Sequence, residues 1–182
     1  MLSKPKMFKI AALGCVAALT LGSTTNVANA EFEEKDVELR LSGFAQNDVE
    51  FSGLQASVSG SLGYFFSDQF EAGFRQDFNY TDIGANALNG STAVFANYHF
   101  GDAQAQVQPF IGGSLGFAYG DTTQDTFFAG PEVGIKYFFP DTDQWFLFGQ
   151  AEYQFFFEDG DEAGDNFNDG VFVYRLGLGV VF

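Results

Sequence analysis

Nine charged side chains recur at alternating positions in otherwise apolar stretches of this 182-residue chain. Glu38 and Arg40 share parity, as do Glu71, Arg75 and Asp77, and then Glu132 and Lys136. Glu152 and Arg175 fall on the less apolar side of their own stretches. In an extended chain, residues two apart point to the same side, so each set projects onto one face. Gathered in an interior, five acids and four bases can form a hydrogen-bonded ion-pair network that plugs it. Deleting one partner would then cost about 3–5 kcal/mol by stranding the other. Alternatively, the pairs exchange and gate a narrow ion path. Paired carboxylates also serve acid–base catalysis, but the intervening Arg and Lys favour plain ion pairing.

The other chemistry-bearing residues are few. His99 is the sole histidine, and a Ser–His or His–Asp unit is judged by geometry. Eleven acids (Asp48, Glu50, Asp82, Asp121, Asp125, Glu158, Asp159, Asp161, Glu162, Asp165, Asp169) cluster between the apolar stretches without a Lys or Arg among them. Asp159-Gly160-Asp161-Glu162-Ala163-Gly164 begins like an EF-hand loop. Ala163 occupies a ligand position, however, and Gly170 stands where the bidentate Glu belongs. No dedicated metal site or cofactor is expected, and the acids read as a solvated rim.

The elements that must position these groups are strands. Period-two alternation runs through most of the chain and is broken at regular intervals by turn residues. Eight strands are expected near 36–46, 53–65, 70–80, 91–100, 107–119, 127–139, 145–157 and 171–182. Short turns near 67–69, 101–103 and 140–143 alternate with longer, more acidic connections near 47–52, 81–90, 120–126 and 158–170. That rhythm describes an all-β, eight-stranded antiparallel up-and-down barrel.

Which face looks outward is decided by bulk and charge. One face carries Phe70, Phe74, Phe78, Tyr98, Leu115, Tyr137 and Tyr153, too much volume for a small lumen. The other carries the charges together with Ser57, Ser59, Ser61, Gly73, Gly112, Ser114, Gly116, Gly134, Gly177 and Gly179. A soluble barrel would put the bulky face inside. Apolar faces outward, with aromatic girdles at both rims, make a transmembrane barrel instead. His99 then faces inward at the turn-side end of its strand, far from an outer-leaflet substrate, and no enzyme activity is expected.

Composition agrees. The chain is 46% hydrophobic with 25 phenylalanines and a formal net charge of −16. Nucleic-acid binding needs clustered Lys and Arg and is excluded. Residues 1–30 read as a secretory signal peptide. Lys4, Lys6 and Lys9 precede the apolar run 10–21, and Ala28-Asn29-Ala30 sets cleavage after Ala30. Leu13-Gly14-Cys15 is a poor lipobox. A single barrel domain over 31–182 follows.

The closing Tyr174-Arg175-Leu176-Gly177-Leu178-Gly179-Val180-Val181-Phe182 resembles the final strand of bacterial outer-membrane barrels. The stretches 109–120 and 63–70 resemble small barrels of the OmpA-like/OmpX-like superfamily. The resemblance implies an outer-membrane location. It also implies a C-terminal signal (Tyr174, Leu176, Leu178, Val180, Phe182) read by the barrel-assembly machinery. Unlike in OmpA itself, no second, peptidoglycan-binding domain is expected after the barrel. Pro131 departs from the pattern, because it removes a ladder donor on a lipid-facing position. The expected role is structural or interactive, through acidic loops that meet lipopolysaccharide, with diffuse divalent cations between like charges. The alternative is a narrow OmpW-like channel for ions or small solutes. A monomer is expected, since a closed barrel satisfies its own backbone.

Overall fold

A computed structural model describes residues 34–47, 54–82, 86–101, 105–123, 125–140, 142, 144–157 and 170–182. The expected signal peptide and the 159–164 loop lie outside them, as do most of the loop acids. Eight strands follow one another: β1 (Val37–Asn47), β2 (Leu54–Ser67), β3 (Phe70–Thr81), β4 (Ala87–His99), β5 (Val107–Gly120), β6 (Thr126–Phe138), β7 (Trp145–Phe157) and β8 (Val171–Val181). Each pairs antiparallel with the next, and β1 with β8, to close a barrel. The strands lie within a few residues of the expected ones. The exception is β4, which starts at Ala87 rather than near 91, so the connection before it is shorter.

Alternation orients the wall as charge and bulk require. Leu62, Phe74, Leu115 and Leu176 are exposed on the outside, and Tyr64, Tyr98, Phe100, Tyr137 and Trp145 edge the turn-side rim. Tyr80, Phe127, Phe157 and Phe172 edge the loop-side rim. At the turn-side end, Val37 and Phe182 exchange two backbone hydrogen bonds of 2.9 Å, which zips the first and last strands. Pairing of β1 with β8 then runs from Glu38↔Val181 to Ser42↔Gly177 and stops. Beyond it, β1 stays paired to β2 through Asn47↔Leu54, and β8 to β7 through Gln154↔Val171.

Pro131 is accommodated rather than excluded. Its partner on β5 is Gly113, whereas pairing with β7 is interrupted at Gly130 and Pro131 and resumes at Glu132↔Glu152. The register is the same on both sides of the gap. The missing N–H costs local ladder bonds without shifting any side chain to the wrong face.

Candidate functional site

All nine charges of the alternating sets point into the lumen and are buried there. They sort into two tiers. In the turn-side tier, Arg40 Nε lies 2.9 Å from Glu38 and its Nη2 3.0 Å from Glu71. Lys136 Nζ lies 2.6 Å from Glu38 and 3.5 Å from Glu71. His99 Nε2 sits 3.1 Å from Glu71, between the rings of Phe65 and Phe110. In the loop-side tier, Arg175 binds Glu152 at 2.5 Å and Asp77 at 3.1 Å. Arg75 binds Glu132 at 2.8 Å, and Gln150 donates to the same carboxylate at 2.8 Å. Ser114 donates to Glu152, and Ser91 donates to Asp77.

These groups make an interior that is full rather than merely polar. Seven phenylalanines also point inward and are buried: Phe65, Phe95, Phe110, Phe128, Phe138, Phe146 and Phe148. Phe65, Phe138, Phe146 and Phe148 pack with Val181 as a floor at the turn side. Glycines opposite the rings make room. The pairs Gly73↔Phe95, Gly116↔Phe128, Phe110↔Gly134 and Phe146↔Gly179 each set a bare backbone under an aromatic ring. A Cβ on any of these four glycines would collide with the ring that covers it. The same rings receive the cations. The Arg40 guanidinium lies 4.7 Å from the Phe95 centroid, and Lys136 Nζ lies 5.3 Å from Phe146 and 5.4 Å from Phe65. Such contacts are worth about 2 kcal/mol when desolvated.

No family model and no curated protein matches the chain. Solved structures do. The N-terminal β-barrel domain of Pseudomonas aeruginosa OprF superposes with a TM-score of 0.59 at 20% identity, over 82% of this chain and 98% of that one. The outer membrane protein OprG from Pseudomonas aeruginosa gives 0.58 at 12% identity, over 85% and 99%. The fold is that of a small outer-membrane β-barrel. Identities this low carry the architecture alone, so what the barrel does must come from its own side chains.

Among the described residues, no group of His, Cys, Asp and Glu could hold a metal ion. Two loop acids are engaged by backbone instead of standing free. Asp82 accepts the Leu54 N–H, and Asp121 Oδ2 accepts the Leu88 N–H at 2.9 Å. Each latches the end of one strand to a neighbour. The five C-terminal positions lie on the outer parity of β8; Tyr174, Leu176, Leu178 and Phe182 are exposed there, whereas Val180 is buried beside its partner Trp145.

One polar cluster on the lipid face had no counterpart in the sequence reading. Gln76 Nε2 donates to the Ser91 carbonyl at 2.8 Å and to the Tyr119 hydroxyl at 2.9 Å, while Thr92 donates to Gln76 Oε1 at 2.7 Å. Gly90 leaves the space that the Tyr119 ring needs to lie down over the wall. The signal for it was two polar residues, Gln76 and Thr92, at outward parity within the apolar belt.

Proposed function

We propose that this protein is a non-conducting integral barrel of the bacterial outer membrane, with a structural or surface-interaction role rather than a catalytic one. The observation that carries the reading is the filled lumen. Two tiers of buried ion pairs stand above a phenylalanine floor, and an ion would have to break pairs and move rings to pass. The outward apolar belt supports the membrane location, because such a surface is stable only against lipid. His99 is buried against Glu71 beneath the charges, a poor place to meet an outer-leaflet substrate. Lipopolysaccharide, with diffuse divalent cations, is the partner proposed for the loop rim, and the assembly machinery is the partner proposed for β8 during insertion.

The test is single-channel conductance of the refolded protein in planar bilayers, with Glu132→Gln beside it. The expected result is silence from protein shown to be folded by its heat-modifiable gel mobility. Discrete steps that change in the variant would overturn the reading and make the lumen charges a gate.

A further inference from the structure

Besides the short gap at Gly130 and Pro131, the wall described is incomplete at one longer place. Past Ser42↔Gly177, residues Gly43–Gln46 of β1 and Val173–Leu176 of β8 remain strands but do not pair with each other. Both segments lie in the loop-side half of the barrel, below Phe172 at the aromatic rim. Unpaired backbone at membrane depth costs several kcal/mol per group unless it lines a polar, hydrated space. A cavity of about 420 Å³ opens behind the seam, lined by serines and amides on one part and by Phe44, Val173, Tyr174 and Leu176 on another. Its lining includes Tyr174 and Leu176, which belong by parity to the outer surface. Ser42, Gly43 and Leu176 border this cavity and also an apolar groove on the outside, against Leu41 and Leu178. The polar interior and the lipid phase therefore meet through the seam.

The rest of the lumen directs the cavity to that side. On the opposite wall, Phe128 packs against Ala93, Ala118 and Phe156 and fills the loop-side interior. Below, the Arg175–Asp77 and Arg175–Glu152 pairs close the cavity off. It is a blind pocket, not a path. Its lining offers the hydroxyl and amide side chains of Ser42, Ser57, Asn79 and Gln154 beside the apolar Phe44 and Val173, and Gln154 is only 8% exposed. The charges that border it are paired, Asp77 with Arg175 and Arg175 also with Glu152.

We propose that the β1/β8 seam is a lateral binding notch for a single-chain amphiphile with an uncharged, hydroxyl-bearing head. The head replaces water against the serine and amide side chains and the open strand edges. The chain leaves over Leu176 along the outer groove into the bilayer. A charged head gains nothing, because no unpaired counter-ion faces the cavity.

The test uses the full protein reconstituted in phosphatidylcholine vesicles with a photoactivatable monoacylglycerol, and maps the labelled peptides by mass spectrometry. Labelling is expected to concentrate on Phe44, Tyr174 and Leu176 and to fall at least tenfold with excess unlabelled monoolein. Ser57→Leu and Gln154→Leu, each checked for folding by gel mobility, are expected to lower the labelling similarly. Labelling spread evenly around the belt, or unchanged in both folded variants, would overturn the notch. Equal labelling by a photoactivatable fatty acid at a pH where it is ionised would overturn the uncharged head.

Discussion

Replacing Lys136 with methionine isolates what the buried network contributes. Lys136 is fully buried on β6, with its ammonium 2.6 Å from Glu38 and 3.5 Å from Glu71. At an effective dielectric constant of about 20, those contacts correspond to gross attractions of about 6 and 5 kcal/mol. Desolvation of all three groups offsets most of that sum. Methionine nearly preserves the volume among Phe65, Phe110 and Phe146, so little of the loss is packing. What the substitution leaves is two buried carboxylates sharing Arg40, and the expected cost is about 3–5 kcal/mol. Adding Glu38→Gln removes one stranded charge. The double variant should therefore be more stable than Lys136→Met alone, with a coupling of about 2 kcal/mol.

The assay is urea unfolding in lipid vesicles, followed by gel mobility and by the fluorescence of Trp145, the only tryptophan. Raising the salt should barely change the coupling, because ions screen buried pairs far less than exposed ones. A Lys136→Met barrel within about 1 kcal/mol of the parent, or a strictly additive double variant, would refute the network as a stabilising unit.

Two further perturbations test the packing rules. The three heavy atoms nearest to a Cβ on Gly179 all belong to the Phe146 ring, so Gly179→Ala should cost about 1–3 kcal/mol by overpacking. Phe146→Leu should recover part of that loss in the same unfolding assay, and failure to do so would sink the paired glycine–phenylalanine explanation. On the lipid face, Tyr119→Phe removes the hydroxyl that Gln76 Nε2 approaches at 2.9 Å and should cost about 1–2 kcal/mol. Tyr80→Phe, at the same rim, is the control and should stay within about 0.5 kcal/mol.

The sequence made the barrel legible because its strongest signal, alternation, is also what a one-layer wall demands. The parity of Glu71, Arg75 and Asp77, or of Glu132 and Lys136, places them in the lumen without any knowledge of pairing. Parity fails where phenylalanines are consecutive. Phe65-Phe66, Phe127-Phe128 and Phe155-Phe156-Phe157 put rings on both faces, and apolar character cannot say which ring enters. Part of the floor, Phe65, is therefore not legible, and the lumen glycines, which suit a narrow interior, turn out to be seats for rings. Ala87–Gly90 read as loop because the strand opens on small and polar residues; its pairing with Asn79, Tyr80 and Thr81 is a tertiary fact. Partners depend on register as well. Nothing local to Asp121 announces that it will hold the N–H of Leu88, 33 residues away.

The filled floor and the open seam are consequences of one gradient in the inward residues. On β2, reading from the turn side, those positions run Phe65, Gly63, Ser61, Ser59, Ser57 and Gln55. Where phenylalanines and charges fill the lumen, backbone groups in the wall depend on the next strand for partners, because no water is available to take its place, and the ladder lapses there at Gly130 and Pro131. There β1 and β8 are zipped to the last residue by Val37 and Phe182. Where serines and amides replace the rings, the interior can satisfy a strand edge from inside, and the constraint on closing the wall is lifted. The seam opens at that level, between Ser42 and the aromatic rim. A test of the gradient follows from the same logic. Filling the mouth with an apolar side chain, as Ser57→Leu does, withdraws the polar partner from the open edges and should drive β1 and β8 to pair further toward the loops. Hydrogen exchange at Ala45 and Tyr174 would report it. Slower exchange in the variant is the expected outcome, and unchanged exchange in a folded variant would mean that the seam is held open by something other than its polar interior.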